Sequence, residues 1–82
     1  MSVYDPLKIM LSGLPVTTLV LSFAEIEKVI NRPLPRSAYD YNAWWSNDDS
    51  GKTTHSQSKA WTMAGFNAEA DRTRRVVTFR RR

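Results

Sequence analysis

With 82 residues and no cysteine, the chain has room for one small domain, 1–82, and must hold its core without disulfides or thiolate-bound metal; nothing in it suggests an oxidising compartment, so a cytoplasmic location is expected. No apolar run approaches the roughly 20 residues that span a bilayer, and the start lacks the basic-then-apolar pattern of a signal peptide, so no membrane partner is expected. The formal net charge of +4 is local: residues 72–82 carry six arginines and no acid, whereas residues 1–71 hold six Lys/Arg against eight Asp/Glu.

Asp5-Pro6 predicts a helix start, with Asp5 as N-cap, Pro6 at the first helical position, and Leu7, Met10 and Leu11 on one face up to Gly13. Residues 17–21 are β-branched and aliphatic, long enough for one strand and too short for a helix. Ser22-Phe-Ala-Glu25 has the capping-box spacing and opens a helix whose buried stripe is Phe23, Ile26, Val29 and Ile30. The prolines in Asn31-Arg-Pro-Leu-Pro35 end that helix in an ordered loop, because each removes an amide donor and extends its predecessor.

Ser37 then predicts the cap of a further helix over 38–45, whose Tyr41, Trp44 and Trp45 offer more bulk than one narrow face needs; one tryptophan is expected to be partly exposed. Residues 47–54 are the most polar stretch and carry the flexible-loop signal. From Ser56, the spacing of Gln57, Ala60, Trp61 and Ala64 predicts a helix over 56–64 closed by Gly65 in the left-handed position. Phe66, Ala68 and Ala70 alternate with polar residues, as Val77 and Phe79 do across a turn near 72–74, which predicts a β-hairpin over 66–80. A frayed basic tail does not need that alternation.

Helix, strand, helix, helix, helix, hairpin is an α+β order. Apart from the additional segment 37–45 it is that of a winged helix-turn-helix, with three to four short helices and a small antiparallel sheet of strand 17–21 and hairpin 66–80. Strand 17–21 is expected to pair with 76–80. In such a frame helix 56–64 is the reading helix, exposing Ser56, Gln57, Lys59 and Thr62, and the hairpin is a wing whose turn arginines, Arg72, Arg74 and Arg75, face phosphates or a minor groove, with Arg80, Arg81 and Arg82 as a second basic arm at its end. The structural alternative pairs some of these arginines with Glu69 and Asp71.

The strings Tyr4-Asp-Pro-Leu7, Leu21-Ser-Phe-Ala-Glu-Ile-Glu27, Arg32-Pro-Leu-Pro35, Ala43-Trp-Trp-Ser-Asn47, Ala60-Trp-x-x-Ala-Gly-Phe66 and Val77-Thr-Phe-Arg-Arg81 cover nearly the whole chain. They resemble a small bacterial and phage module of unassigned function that occurs alone and joined to larger proteins, including restriction-type ones. The resemblance implies a DNA-related, defence-linked role and brings no catalytic or binding residues with it.

The expectation is therefore a non-enzymatic binder of double-stranded DNA that needs no cofactor or metal, with Gln57, Lys59, Arg72, Arg74, Arg75, Arg80 and Arg81 as contacts. The alternative is a protein-binding module or phage-encoded inhibitor that docks Trp44 and Trp45, with the basic hairpin, on an acidic protein. A metal-dependent nuclease built on Asn47, Asp48, Asp49 and His55 is the third reading, but a single histidine with loop acids lacks the repeated spacing of metal sites. Homodimerisation stays open, since no heptad or spare apolar stripe is left to drive it.

Overall fold

In the computed structural model, which describes residues 2–47 and 56–82, the chain order is α1 (Asp5–Ser12), β1 (Thr18–Ser22), α2 (Phe23–Ile30), α3 (Arg36–Asp40), a 3₁₀ turn (Asn42–Trp45), α4 (Ser56–Thr62), β2 (Phe66–Asp71) and β3 (Val76–Arg81). The expectations about Asp48, Asp49 and His55, and nearly all of the flexible-loop signal, lie outside the described residues. No described helix is long and apolar enough to cross a membrane.

The start of α2 follows the sequence closely. Ser22 Oγ accepts the Glu25 N–H at 3.0 Å, and Glu25 Oε1 accepts the Ser22 N–H at 2.9 Å, so two of the helix's orphan donors are satisfied reciprocally. These bonds hold the Glu25 carboxyl below its ordinary pKa, the backbone donor of Ser22 contributing most. At the other end Asn31 takes the left-handed conformation. Helix α1 differs by one residue: Tyr4 occupies the cap position, Asp5 lies in the first turn, and the Asp5 carboxylate receives the Ser2 N–H instead.

The helix expected over 38–45 is two pieces. Helix α3 starts one residue before Ser37, capped by Pro35 without a side-chain bond, and Tyr41 is extended with φ −132° before the 3₁₀ turn begins. The physical reason is the aromatic load. A continuous helix would crowd Tyr41, Trp44 and Trp45, at i, i+3 and i+4, onto one face, whereas the break leaves Tyr41 exposed and lets Trp45 enter the core and donate its indole N–H to the Ala38 carbonyl at 2.8 Å.

The three strands form one antiparallel sheet in the order β1-β3-β2, with Leu19 opposite Phe79 and Phe79 opposite Ala68. Both the expected pairing of the first strand with the last and the hairpin are therefore present, the first strand beginning one residue later than read. Leu21, Phe66, Ala68, Val77 and Phe79 line the inner face against Leu7, Leu11, Phe23, Ile26, Trp45 and Trp61. Trp45 stacks between Phe23, at 5.0 Å between ring centroids, and Trp61, at 5.7 Å. Large aromatic areas of this kind fill a small interior with few residues.

Candidate nucleic-acid interface

Helix α4 does not present the reading face that its sequence suggests. Gln57 is 8 % exposed and its amide donates to the Trp44 carbonyl at 3.4 Å; Ser58 and Thr62 are buried too, Thr62 Oγ1 donating to the Ser58 carbonyl at 2.8 Å. The helix is packed against both α1 and β2, so two faces are covered rather than one. Lys59 and Met63 face solvent and Ser56 is half-buried. The expectation that Gln57 and Thr62 lie at the surface is thus corrected: polar side chains occupy inward positions because each finds an acceptor within the fold.

The arginines fall into two groups at opposite ends of β3. At the hairpin turn, Arg72 reaches back to the break between α3 and the 3₁₀ turn, donating from Nε to Asn42 Oδ1 at 2.7 Å and from one terminal nitrogen to the Asp40 carbonyl at 2.9 Å and the Tyr39 carbonyl at 3.4 Å. Asp71 Oδ1 accepts the Arg74 N–H at 3.0 Å, closing the turn as an Asx residue does, so this acid serves the backbone and not a guanidinium. Arg75 takes the left-handed conformation, φ 58°, and its carbonyl accepts the Phe23 N–H at 2.8 Å. Its guanidinium lies 5.2 Å from the centre of the Tyr39 ring.

At the other end, Arg81 sits 4.7 Å from the centre of the Phe66 ring and donates to the carbonyls of Leu14, at 2.6 Å, and Val16, at 3.2 Å. Arg82 donates to Asn67 Oδ1 at 2.8 Å, and Arg80 pairs with Glu69 at 3.4 Å with both side chains more than half exposed. Arg72 and Arg81 are therefore held by neutral oxygens. Their positions are fixed while neither makes an ion pair among the described residues, and Arg74 and Arg75 add exposed charge beside Arg72. Six residues of strand put the two groups roughly 17 Å apart.

Between the turn and α3 lies an open polar cleft of about 500 Å³ lined by Tyr39, Asn42, Asp71, Arg72 and Thr73. Tyr39 donates its hydroxyl to Glu27 Oε2 at 3.1 Å, and the same oxygen takes the Leu34 N–H at 2.7 Å, tying the proline loop to the cleft wall. Burial and then the bond to Glu27 raise the Tyr39 pKa, so the phenol stays a neutral donor. Arg36, exposed and paired with Asp40 at 3.1 Å, belongs to the same end of the molecule. Sequence reading missed Tyr39, Asn42 and Asn67 as supports for arginines; Asn42 lies thirty residues from Arg72, and no local pattern joins them.

The two tryptophans of the docking alternative are mostly core. Trp45 is buried, and Trp44 is half-buried with its ring 5.8 Å from Tyr4 and 4.6 Å from Trp45. Trp44 also borders a shallow groove with Tyr41, Ala43 and Gln57.

The model of one family, described as a domain of unknown function (DUF7662), matches residues 4–82. The chain belongs to that family. No curated protein and no solved structure matches it. The match spans both arginine groups and every described element, so the fold and its basic hairpin lie within the family's domain.

Proposed function

We propose that the protein binds double-stranded DNA, without catalysis, through the phosphate backbone and by way of its arginine hairpin in a winged-helix type of arrangement. The observation that carries this reading is the anchoring of Arg72 and Arg81 on neutral oxygens, which holds guanidinium groups in place without cancelling their charge. A pre-positioned guanidinium loses little side-chain freedom when it meets a phosphate, and its planar fork suits bidentate contact. Arg74, Arg75 and Arg80 supply additional exposed charge. With Gln57 and Thr62 buried, the described residues of α4 leave Lys59 exposed and Ser56 half-buried as polar groups for base edges, so the binding is expected to be insensitive to sequence.

Fluorescence anisotropy with a duplex of about 20 base pairs, titrated from about 25 to 200 mM salt, tests this: each phosphate that an arginine no longer reaches should lower the salt slope by about 0.9. Arg74, Arg75 and Arg80 support the described fold least, so their combined replacement by alanine should weaken binding and reduce the slope by roughly 3 while leaving the protein folded. Absence of binding at tens of micromolar protein in the lowest salt would sink the proposal. So would binding that the triple variant leaves unchanged.

A further inference from the structure

The two edges of the sheet are treated differently. On β2, the Asn47 side chain imitates a strand: its Oδ1 accepts the Ala68 N–H at 2.6 Å and its Nδ2 donates to the Ala68 carbonyl at 3.0 Å, closing the middle of that edge. On β1, the bonds from Phe23 N–H to the Arg75 carbonyl and from Arg81 N–H to the Thr17 carbonyl fix the register. Peptide groups of 17, 19, 21 and 23 then face β3, and those of Thr18, Val20 and Ser22 face outward. The Ser22 N–H is taken by Glu25, which leaves Thr18 and Val20 as the open ladder positions among the described residues. Strand β1 contains no charge, proline or glycine to guard it, and Val20 is 55 % exposed.

We propose that β1 pairs antiparallel with β1 of a second copy about a two-fold axis at Leu19, extending the three-stranded sheet to six. In that register the open groups match: Thr18 of each copy faces Val20 of the other as a hydrogen-bonded pair, and Leu19 meets itself at a position whose own peptide groups are committed to β3. Centring on Val20 instead calls on the Ser22 amide, which the capping box already uses. The outer face then joins Thr18 to Val20 across the seam, and the inner face joins the half-buried Leu19 side chains, both favourable cross-strand pairs.

Charge agrees with the same register. It places Ser22 of one copy opposite Val16 of the other; the Glu25 carboxylate sits on the Ser22 N–H and the Arg81 guanidinium on the Val16 carbonyl. Acid meets base at both ends of the seam, which is what an isologous contact requires. A foreign strand of uniformly acidic or basic character is matched at one end only. The inference does not rest on DNA binding, although both engage the Arg81 guanidinium.

Sedimentation equilibrium from about 10 µM to about 1 mM protein tests it, with dimer formation read as mass rising from the monomer toward twofold. The monomer mass is 9.4 kDa. Val20→Lys, at an exposed edge position, and Thr18→Pro, which removes only an outward N–H, should both hold the protein at the monomer mass, with far-UV circular dichroism confirming that they fold. In the unmodified protein, amide exchange at Thr18 and Val20 should slow as concentration rises. A wild-type mass that stays monomeric across the range overturns the proposal, as does a dimer whose protected amides lie elsewhere or that Val20→Lys leaves intact.

Discussion

Replacing Arg72 by alanine separates a structural arginine from a merely exposed one. Its guanidinium makes two short hydrogen bonds, to Asn42 Oδ1 at 2.7 Å and to the Asp40 carbonyl at 2.9 Å, with a longer third to the Tyr39 carbonyl. Hydrogen bonds to a charged group contribute about 1.5–3 kcal/mol each when shielded, and the two short ones lie at the exposed rim, so roughly half of that survives screening and the loss is about 2 kcal/mol. For a domain of this size that lowers the thermal midpoint by about 10 °C. Arg74→Ala removes the same charge from the same turn but no described side-chain bond, and should cost less than about 0.5 kcal/mol. Urea denaturation followed by tryptophan fluorescence is a suitable assay because Trp45 and Trp61 are in the core. Arg72→Lys keeps the charge and loses the planar fork, so it should fall closer to alanine than to wild type. Equal stabilities for the Arg72 and Arg74 alanine variants would refute the reasoning that the turn is pinned to the α3 break by a guanidinium.

Asn47→Ala should destabilise by about 1–3 kcal/mol, since it leaves the Ala68 N–H and carbonyl without their partner, and the Ala68 amide should exchange faster in hydrogen–deuterium measurements. Trp45→Phe should cost at least about 1 kcal/mol more than Trp61→Phe in urea titrations: the former deletes the bond to the Ala38 carbonyl, while the buried Trp61 indole N–H has no partner among the described residues to lose. The pH dependence follows from Glu25, whose carboxyl is held below its ordinary pKa by the Ser22 bonds. Its contribution is complete above the unfolded-state value and disappears as pH falls through the lower, folded-state value, so the stability of Glu25→Gln, which removes the titrating carboxyl, should decline less than that of wild type in acid below about pH 4.5. Thermal melts at a series of pH values read this, and parallel declines would contradict it.

The elements that the sequence determined by itself are those whose information is local. The capping box at Ser22 and Glu25 needs residues three apart, and the hairpin needs only the alternation of 66–70 and 76–79; both are present in the structure as read. The ending of α2 at the Asn31 to Pro35 stretch follows from proline chemistry. Even the pairing of β1 with β3 was legible, because an apolar strand far along the chain from the hairpin had one open place to go.

Only the tertiary structure decided which side chains of α4 and of the arginine end are free. Helical spacing marks one buried stripe, but it carries no record of a second neighbour on the opposite side, and α4 has both α1 and β2 against it. Gln57, Ser58 and Thr62 are therefore buried although their chemistry suits a surface. The arginines invert the same lesson: composition counted six equal charges, and the fold sorted them by partners from 11 to 67 residues distant, Glu69 for Arg80 and the Leu14 carbonyl for Arg81. Periodicity is a property of one element, whereas exposure and hydrogen-bond partnership belong to pairs of elements that chain folding brings together.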